Sequence, residues 1–387
     1  MSTSTAIDPY PHYADMRATA PVHFNPQLGL WEVYGYHDIQ TVLGDAKTFS
    51  SDLSDGKMMV FMDPPRHTQF RRLVARAFTS KVIADLEPSV QAITDELLDR
   101  VEKDGRMDIV SDLAFLLPVT VIAELLGLPV ADRDKFKAWS IPAIRAAELE
   151  LQGQMPEQHL LDAVNELDAY LAALIARRRD TPGTDLVSGL LAAEVDGERL
   201  TLDEVAGTCR LLLIAGFETT ANLLGNTLHL LLRHPKALAQ VRADESLLPS
   251  AIEESLRFHT PFQFFARIAM RDVTLGGQLI RAGQQVMTFN ASGNRDESAF
   301  ADADTFDITR TPNRHLSFGH GIHYCLGAGL GRLEARIGIA TLLRRFGNLR
   351  LDDARPIEPL SSVVLFGVSS LPVRFDSLQV VDRLQVD

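Results

Sequence analysis

Residues 318–327 read FGHGIHYCLG and are the most informative stretch of the sequence. They contain the pattern Phe-x-x-Gly-x-x-x-Cys-x-Gly at four positions, which are Phe318, Gly321, Cys325 and Gly327. From the frequencies of these residue types in the chain, a chance match is expected about once in a million windows, so the pattern is treated as a motif.

The motif suits a deprotonated thiol. A helix is predicted over residues 326–345, which places Cys325 at a helix N-terminus, where free amides and the helix dipole stabilise a thiolate. Gly321 permits a sharp turn that directs amides toward the sulfur, and Gly327 lets a flat ring approach the helix. Phe318 can shield the sulfur from water. The alternative is a buried, inert cysteine, which is the usual state of a free thiol.

This segment resembles the haem-binding loop of the cytochromes P450, and further motifs extend the resemblance over most of the chain. The resemblance implies a mainly α-helical fold with a minor β-sheet region, in which a triangular helical body surrounds a buried haem b (iron protoporphyrin IX). Cys325 would then be the iron ligand, with Phe318, His323 and Gly327 contacting the haem.

A second motif, AGFETT, occupies residues 215–220 within the clearest helical stretch, 203–233. Thr219 can donate back to the carbonyl of Ala215 and open a local bulge beside Gly216. Such a pocket can hold dioxygen and a water, with Thr219 donating a hydrogen bond and Glu218 relaying protons. The alternative is a helix kink with a solvent-facing glutamate.

The AGFETT segment is similar to the acid–alcohol pair of the same family, which makes Glu218 and Thr219 the candidate catalytic residues. Ala215 and Gly216 would lie against the haem. Because both members of the pair are present, the resemblance implies monooxygenase chemistry rather than the peroxide-driven or isomerising chemistry of other branches.

Two charged residues with a structural role are also implied. Glu254 and Arg257 have the spacing that places an acid and a base on one helical face. Solvated pairs of this kind are common. In the family, however, the matching Glu-x-x-Arg pair is a buried network that braces the cysteine loop, and Arg310 would complete it.

A buried haem needs cationic or hydrogen-bonding partners for its two propionates. Asp63, before Pro64 and Pro65, is expected to cap a helix. His67 and Arg71 follow one turn apart on its face. The family's propionate-binding residues match four positions: His67, Arg71, Arg267 and His323.

The resemblance also indicates where a substrate would bind. Phenylalanine and methionine suit a lipophilic ligand, and each of these side chains has an equal chance of filling the core instead. The expected pocket residues are Met58, Met59, Phe61, Phe262, Phe264, Phe265 and Phe366. The loop from Phe49 to Asp63 is short for this family and is expected to contain little helix.

Composition excludes several other classes. The chain has 387 residues and a net charge of −13, with no concentrated basic surface for nucleic acid. Neither a signal peptide nor a membrane span is expected, because Pro118 and Glu124 interrupt the most apolar stretch, 113–130. Of two cysteines, Cys209 is expected in the core. A single cytoplasmic domain over residues 1–387 is predicted.

Short strands are predicted at 22–24 and 30–36, and a small meander at 273–290, around a body that is helical from 64 to 233. The helical stretch ends before His234-Pro235, where proline stops a helix.

The chain is too short to include an attached flavin or iron–sulfur domain. Electrons from NAD(P)H would therefore arrive indirectly, through a reductase and a ferredoxin or flavodoxin. The resemblance implies an enzyme that hydroxylates or epoxidises a small lipophilic substrate with O2. A monomer is expected. Arg66, Arg72 and Arg76 could attract an acidic donor protein. Two alternatives remain: a haem-thiolate protein that binds a ligand or gas without turnover, and a carrier of apolar ligands.

Overall fold

A computed structural model describes residues 8–53, 58–151 and 154–378 of the chain. Helices predominate and strands form small sheets, which confirms the predicted mainly α-helical class. The α-helices are α1 (Tyr10–Thr19), α2 (Tyr36–Gly44), α3 (Arg66–Ala77), α4 (Ser80–Asp85), α5 (Glu87–Asp99), α6 (Leu116–Leu125), α7 (Arg133–Leu151), α8 (Gln158–Asp180), α9 (Leu186–Ala192), α10 (Leu202–Arg233), α11 (Pro235–Ala243), α12 (Leu248–Phe258), α13 (Asn290–Gly293) and α14 (Ala328–Arg345).

The strands lie mainly at the two ends of the sequence. They are β1 (Val22–Asn25), β2 (Leu30–Val33), β3 (Phe49–Ser50), β4 (Arg106–Asp108), β5 (Glu194–Val195), β6 (Glu198–Arg199), β7 (Phe265–Ala269), β8 (Val273–Leu275), β9 (Gln278–Ile280), β10 (Gln285–Thr288), β11 (Phe346–Leu351), β12 (Glu358–Pro359), β13 (Val368–Ser370) and β14 (Pro372–Ser377). The largest sheet has the order β1-β2-β10-β7-β3.

The predicted meander is only partly correct. β8 and β9 pair as an antiparallel hairpin, but β10 leaves them and joins the large sheet, parallel to β2 and antiparallel to β7. The register sets Val286 opposite Arg267, which anchors this arginine in the sheet. Local alternation identified the strands but carried no information about the long-range pairing of β10.

The predicted strand at 30–36 is also too long. β2 ends at Val33, and Tyr36 begins α2, where its amide donates to the carboxylate of Asp296 at 2.8 Å. Because the hydrogen-bond partner of this helix N-terminus is 260 positions away in the sequence, the local sequence carries no signal for where the helix begins.

Helix α10 forms as predicted and runs through the core. The Thr201 hydroxyl accepts from the Glu204 amide, and the Glu204 carboxylate accepts from the Thr201 amide, so a capping box fixes its start. The helix ends at Arg233, before His234-Pro235. It packs against α6, α8, α12 and α14. No helix among the described residues is long and apolar enough to cross a membrane.

The segment before α3 differs from the prediction in one respect. Pro65, not Asp63, is the N-cap residue of α3, and no side chain caps this helix. The Asp63 carboxylate instead accepts hydrogen bonds from the Ser50 hydroxyl and, at 2.9 Å, from the Ser51 amide. It therefore ties the end of β3 to the start of α3.

The loop between Phe49 and Asp63 contains a single 3-10 turn, Met59–Phe61, among its described residues. Residues 54–57 of the same prediction lie outside the described part of the chain. The described portion therefore has little helix, as expected.

A buried ion-pair network joins α12 to the segment that precedes the cysteine loop. Glu254 and Arg257 are fully buried and joined by two hydrogen bonds of 2.8 Å. Arg310 and Asn313 donate to the same carboxylate, at 3.2 and 3.1 Å. Because buried charges are stable only when paired and hydrogen-bonded, this network holds the segment after residue 300 against α12.

Asn294 connects this region to the start of the cysteine loop. Its amide group donates to the Ser317 hydroxyl at 2.8 Å, and its carbonyl oxygen accepts from the Leu316 amide at 2.6 Å. On the other side, Gly321 lies against the end of α2 with a φ of +72°. A Cβ there would lie 2.7 Å from the Leu43 carbonyl oxygen, so only glycine fits.

We expect Glu254→Gln to destabilise the fold by about 3–5 kcal/mol, because it leaves Arg257 and Arg310 without their anion. Chemical denaturation followed by circular dichroism measures the change. Glu96→Gln, which removes one member of the exposed Arg100–Glu96 pair, is the control and should cost less than about 1 kcal/mol. Equal losses in the two variants would contradict the supporting role of Glu254.

Gly321→Ala should be more costly than Gly277→Ala. Both glycines have positive φ, +72° and +77°, so both variants incur the left-handed penalty of about 1–2 kcal/mol. Only Gly321 has backbone atoms in the way, whereas Gly277 has nothing within 4 Å, and the clash adds about 1–3 kcal/mol. Unfolding free energies of the two variants measure the difference. Matching values would show that the contact with α2 is unimportant.

Candidate functional site

Cys325 lies just before α14, as the motif predicts. Gly327 is the N-cap of α14, and the amides of Gly327 and Ala328 hydrogen-bond to the Cys325 sulfur. The Cys325 amide donates to the Phe318 carbonyl at 2.8 Å, which closes the loop. Desolvation by the surrounding atoms raises the pKa of Cys325 overall, although part of the residue is accessible to solvent, and these amides, Arg71 and Arg332 lower it only in part. The sulfur thus has several groups around it that stabilise its thiolate form.

The surroundings of Cys325 differ from those of Cys209. Cys325 is solvent-accessible, and a Cβ added at Gly327 would meet only the Cys325 sulfur, at 3.9 Å. The start of α14 therefore leaves space for a flat group to approach the sulfur. Cys209 is buried in α10, where burial raises its pKa to about 12, so it is a core residue as predicted.

The four predicted propionate-binding residues form one cluster near the sulfur. The rings of His67 and His323 are 4.1 Å apart. Arg71 donates to the Tyr324 carbonyl at 2.5 Å, next to Cys325. Arg267 is buried, and its hydrogen bond goes to the carbonyl of its own neighbour, Ala266, at 2.7 Å. Residues from α3, β7 and the cysteine loop thus meet in space.

This cluster carries unused donor capacity. Three buried ring nitrogens have no hydrogen-bond partner among the described residues. They are both nitrogens of His67 and Nε2 of His323. Burial lowers the pKa of Arg267 to about 10, and burial together with His67 lowers that of His323 to about 3. Buried donors of this kind call for an anionic acceptor, so the residues fit a haem with two carboxylates beside the Cys325 sulfur.

The acid–alcohol pair lies in the middle of α10. The Thr219 hydroxyl donates to the Ala215 carbonyl at 2.7 Å, which is the predicted back-bond. Ala215 is exposed although it belongs to a helix of the core, so this turn faces accessible space. The helix continues without interruption through Thr219, so the expected bulge is not seen. The half-buried Glu218 precedes Thr219 on the same turn.

Gly216 serves helix packing in this structure. A Cβ at this position would lie 3.0 Å from the Ile122 Cδ1 atom, so glycine lets α10 approach α6 closely. Contact of Gly216 with a cofactor stays a prediction. Beside it lies a cavity of about 40 Å³ whose wall includes Thr220 and Glu334. A space of this size can hold a water.

Glu334 is a buried acid that the motifs did not identify. It lies on α14 in the same apolar face as Leu330, and its Oε2 atom has no partner among the described residues. Burial raises its pKa to about 8, so the side chain is neutral near pH 7. A glutamate on the apolar face of the predicted helix 326–345 was the available signal.

The predicted pocket residues differ in how close they lie to the cysteine loop. The rings of Phe262 and Phe265 are 5.3 Å apart, and Phe265 lies beside Gly319 of the cysteine loop. Met58 and Phe61 are half-buried, and Met59 is buried in the core. Of these residues, Phe265 lies directly against the cysteine loop, at Gly319.

Phe264 and Phe366 adjoin Phe262, since the rings of Phe262 and Phe264 are 6.4 Å apart and the Phe366 amide donates to the Pro261 carbonyl at 2.9 Å, but they also reach a second aromatic cluster. Phe264 packs against Phe289 at 5.7 Å, and Phe366 packs against Tyr10 and His259 at 5.3 and 5.0 Å. Their partners belong to an aromatic cluster near the N-terminal helix. These contacts favour the core role that was the alternative for each pocket residue.

Three further residues near Cys325 had no motif to mark them. Glu253 precedes Glu254 and accepts a bidentate pair from Arg332, at 2.6 and 2.8 Å, while His315 lies 3.1 Å from the same carboxylate. The Arg332 guanidinium lies 4.5 Å from the centre of the Phe318 ring. The ring expected to shield the sulfur is therefore held by a second charged network.

Comparisons with known proteins agree with this geometry. A family model described as cytochrome P450 matches residues 153–373. Cyclomarin C epoxidase CymV of Salinispora arenicola is 41% identical over 93% of this chain and 94% of its own. The monooxygenase PikC of Streptomyces venezuelae is 41% identical over 96% of this chain and 92% of its own.

A solved structure resembles nearly the whole chain. CYP109E1 of Bacillus megaterium, crystallised with testosterone, has a TM-score of 0.89 and 40% identity, and covers 95% of this chain and 99% of its own. The family resemblance proposed from the motifs is confirmed, together with the fold. The chain belongs to the cytochrome P450 family and is a haem-thiolate monooxygenase, an oxidoreductase that uses O2 and external electrons to hydroxylate or epoxidise lipophilic molecules.

Proposed function

We propose that Cys325 ligates the iron of haem b and that Glu218 and Thr219 serve the oxygen chemistry on the opposite side. The observation that carries this proposal is the juxtaposition of a thiol that accepts from helix amides with two arginines and with buried histidine rings that have unpartnered nitrogens among the described residues. When bound, haem supplies dioxygen activation. His67, Arg71, Arg267 and His323 would hold its two carboxylates.

Thr219 is proposed to position the proton that oxygen cleavage requires. Its hydroxyl hydrogen is used by the Ala215 carbonyl, which leaves the hydroxyl oxygen free to accept a hydrogen bond on the accessible side of α10. Rotation of the hydroxyl would instead let it donate. Glu218, one residue before, would carry protons inward from the surface.

We propose an apolar substrate of the size that the half-buried Phe262 and Phe265 can cover. Testosterone in the related CYP109E1 structure makes fused-ring lipophiles the first compounds to test. A spectral titration of the ferric protein would rank them, because a ligand that displaces iron-bound water changes the spin state. A spectrum that no apolar compound shifts would count against this class.

The electron donor is proposed to be an acidic ferredoxin or flavodoxin, itself reduced from NAD(P)H by a reductase. Arg72 and Arg76 are exposed on α3, the helix that also bears His67 and Arg71. Arg66 pairs with Glu204 and Arg72 with Asp196, so an acidic partner would compete for these arginines. We also propose that the enzyme is a monomer and works in the cytoplasm, and its two unpaired cysteines suit a reducing compartment.

Cys325→Ser should abolish thiolate ligation. The hydroxyl of serine is not ionised at neutral pH, so we expect haem retention to fall by more than about a hundredfold or the haem spectrum to lose its thiolate character. Absorption spectra of the ferrous carbon monoxide complex measure this. The control is Cys209→Ala, which should keep the wild-type spectrum. A wild-type spectrum in Cys325→Ser would overturn the ligand assignment.

Thr219→Val should uncouple electron use from product formation. The variant keeps the side-chain shape but removes the hydroxyl that positions the proton, and loss of such a group slows the proton-dependent step by about 10²–10⁴-fold. Product formed per NAD(P)H consumed is the measurement, in a reconstituted system with a redox partner.

The matched control for Thr219 is Thr227→Val. Thr227 makes the same back-bond in the same helix, to the Leu223 carbonyl at 2.7 Å, two turns away. We expect it to retain normal coupling. If both valine variants were equally uncoupled, helix geometry rather than the Thr219 hydroxyl would be responsible.

A further inference from the structure

The Phe318 ring is enclosed by side chains from three places in the chain. The Arg332 guanidinium of α14 lies 4.5 Å from its centre. The rings of His315 and Tyr324 lie 5.8 and 6.1 Å away. Because an arginine over an aromatic face is attracted by the ring quadrupole, this arrangement fixes the ring and places a positive charge beside it.

A single carboxylate holds two of these three groups. Glu253 accepts from Nε and Nη2 of Arg332 at 2.6 and 2.8 Å, and its second oxygen lies 3.1 Å from Nε2 of His315. The His315 side chain is only 4% exposed, whereas Glu253 and Arg332 are 29% and 36% exposed. Bidentate pairing fixes the plane of the guanidinium as well as its position.

Both members of the pair stay charged. Burial opposes ionisation of Glu253, but hydrogen bonds from Arg332 and His315 outweigh it and lower its pKa to about 2. The hydrogen bond to Glu253 raises the pKa of Arg332. Arg332 is therefore a permanent cation whose position depends on Glu253.

The charge of Arg332 acts on Cys325. Arg332 faces the Phe318 ring, the Phe318 carbonyl accepts from the Cys325 amide at 2.8 Å, and Nη1 of Arg332 lies 3.4 Å from the hydroxyl of Tyr324, the residue before Cys325. A cation at this position favours negative charge on the sulfur. One-electron reduction of a thiolate-bound iron adds one negative charge to the same unit. A fixed cation at this position should therefore raise the reduction potential, since charge and hydrogen bonding around a ligand sulfur tune the metal.

We infer that Glu253 is a positioning residue that sets the reduction potential of the haem by holding Arg332 against Phe318, next to the Cys325 thiolate. The inference rests on the proposed ligation of haem by Cys325. The two adjacent glutamates then have different functions. Glu254 supports the fold through Arg257, and Glu253 adjusts the electronic environment of the ligand.

The test is the midpoint potential of the purified, haem-loaded protein in a spectroelectrochemical titration. Arg332→Met removes the cation and should lower the potential by the equivalent of a tenfold change in the ferric-to-ferrous ratio, about 59 mV for one electron. Glu253→Ala should lower it too. As a charge alone, Glu253 would have the opposite effect, because loss of an anion raises the potential.

A double-mutant cycle tests whether Glu253 acts on the potential through Arg332. In the Arg332→Met background, Glu253→Ala should cause no further decrease, since its effect requires the arginine. The matched control is Arg344→Met, which breaks the exposed Arg344–Glu245 pair further along α14 and should leave the potential unchanged. If Glu253→Ala fails to fold, Glu253→Gln, which keeps one acceptor, should give a smaller decrease.

An unchanged or raised potential in the Glu253 variants, with full haem content, would overturn the inference while leaving the haem site intact. Additive decreases in the double variant would overturn it as well. Failure of the underlying proposal gives a different result, because the wild-type protein would then show no thiolate-ligated haem to titrate.

Discussion

A thiolate persists inside a protein only where nearby charges and dipoles compensate it, and this requirement organises the structure around Cys325. The amides at the start of α14, together with Arg71 and Arg332, act against the desolvation that raises the pKa of Cys325. Each contribution requires a fixed position. The loop is therefore held against α2 at Gly321, against α13 and the following residue Asn294, and against α12.

Helix α12 meets this requirement with two consecutive glutamates. Adjacent residues of an α-helix point about 100° apart, so Glu253 and Glu254 face different neighbours. Glu254 faces the interior and pairs with Arg257 and Arg310, whereas Glu253 faces α14 and pairs with Arg332. One short helix therefore carries two separate networks: that of Glu254 holds the segment before the cysteine loop, and that of Glu253 reaches Phe318 in the loop through Arg332.

The sequence predicted those features whose interactions are local. The turn at Gly321, the helix after Cys325, the back-bond of Thr219 and the end of α10 are all set by neighbouring residues, and the structure shows each of them. Where distant residues decide, the predictions were incomplete or wrong. β10 pairs with β2 across more than 250 residues, and the α2 start is satisfied by Asp296.

The same distinction explains which site residues were missed. His67, Arg71, Arg267 and His323 could be named because a family pattern marks them, although they come from three separate segments. Glu253 has no such mark, since its role depends on the orientation of α12 relative to α14. A glutamate beside Glu254 is indistinguishable in sequence from a solvated surface charge. Only the bidentate contact with Arg332, and the position of that guanidinium over Phe318, connect it to the ligand. A charge that acts on Cys325 through an intermediary, as proposed for Glu253, is therefore visible only in three dimensions, whereas residues that a family pattern marks can be named from the sequence.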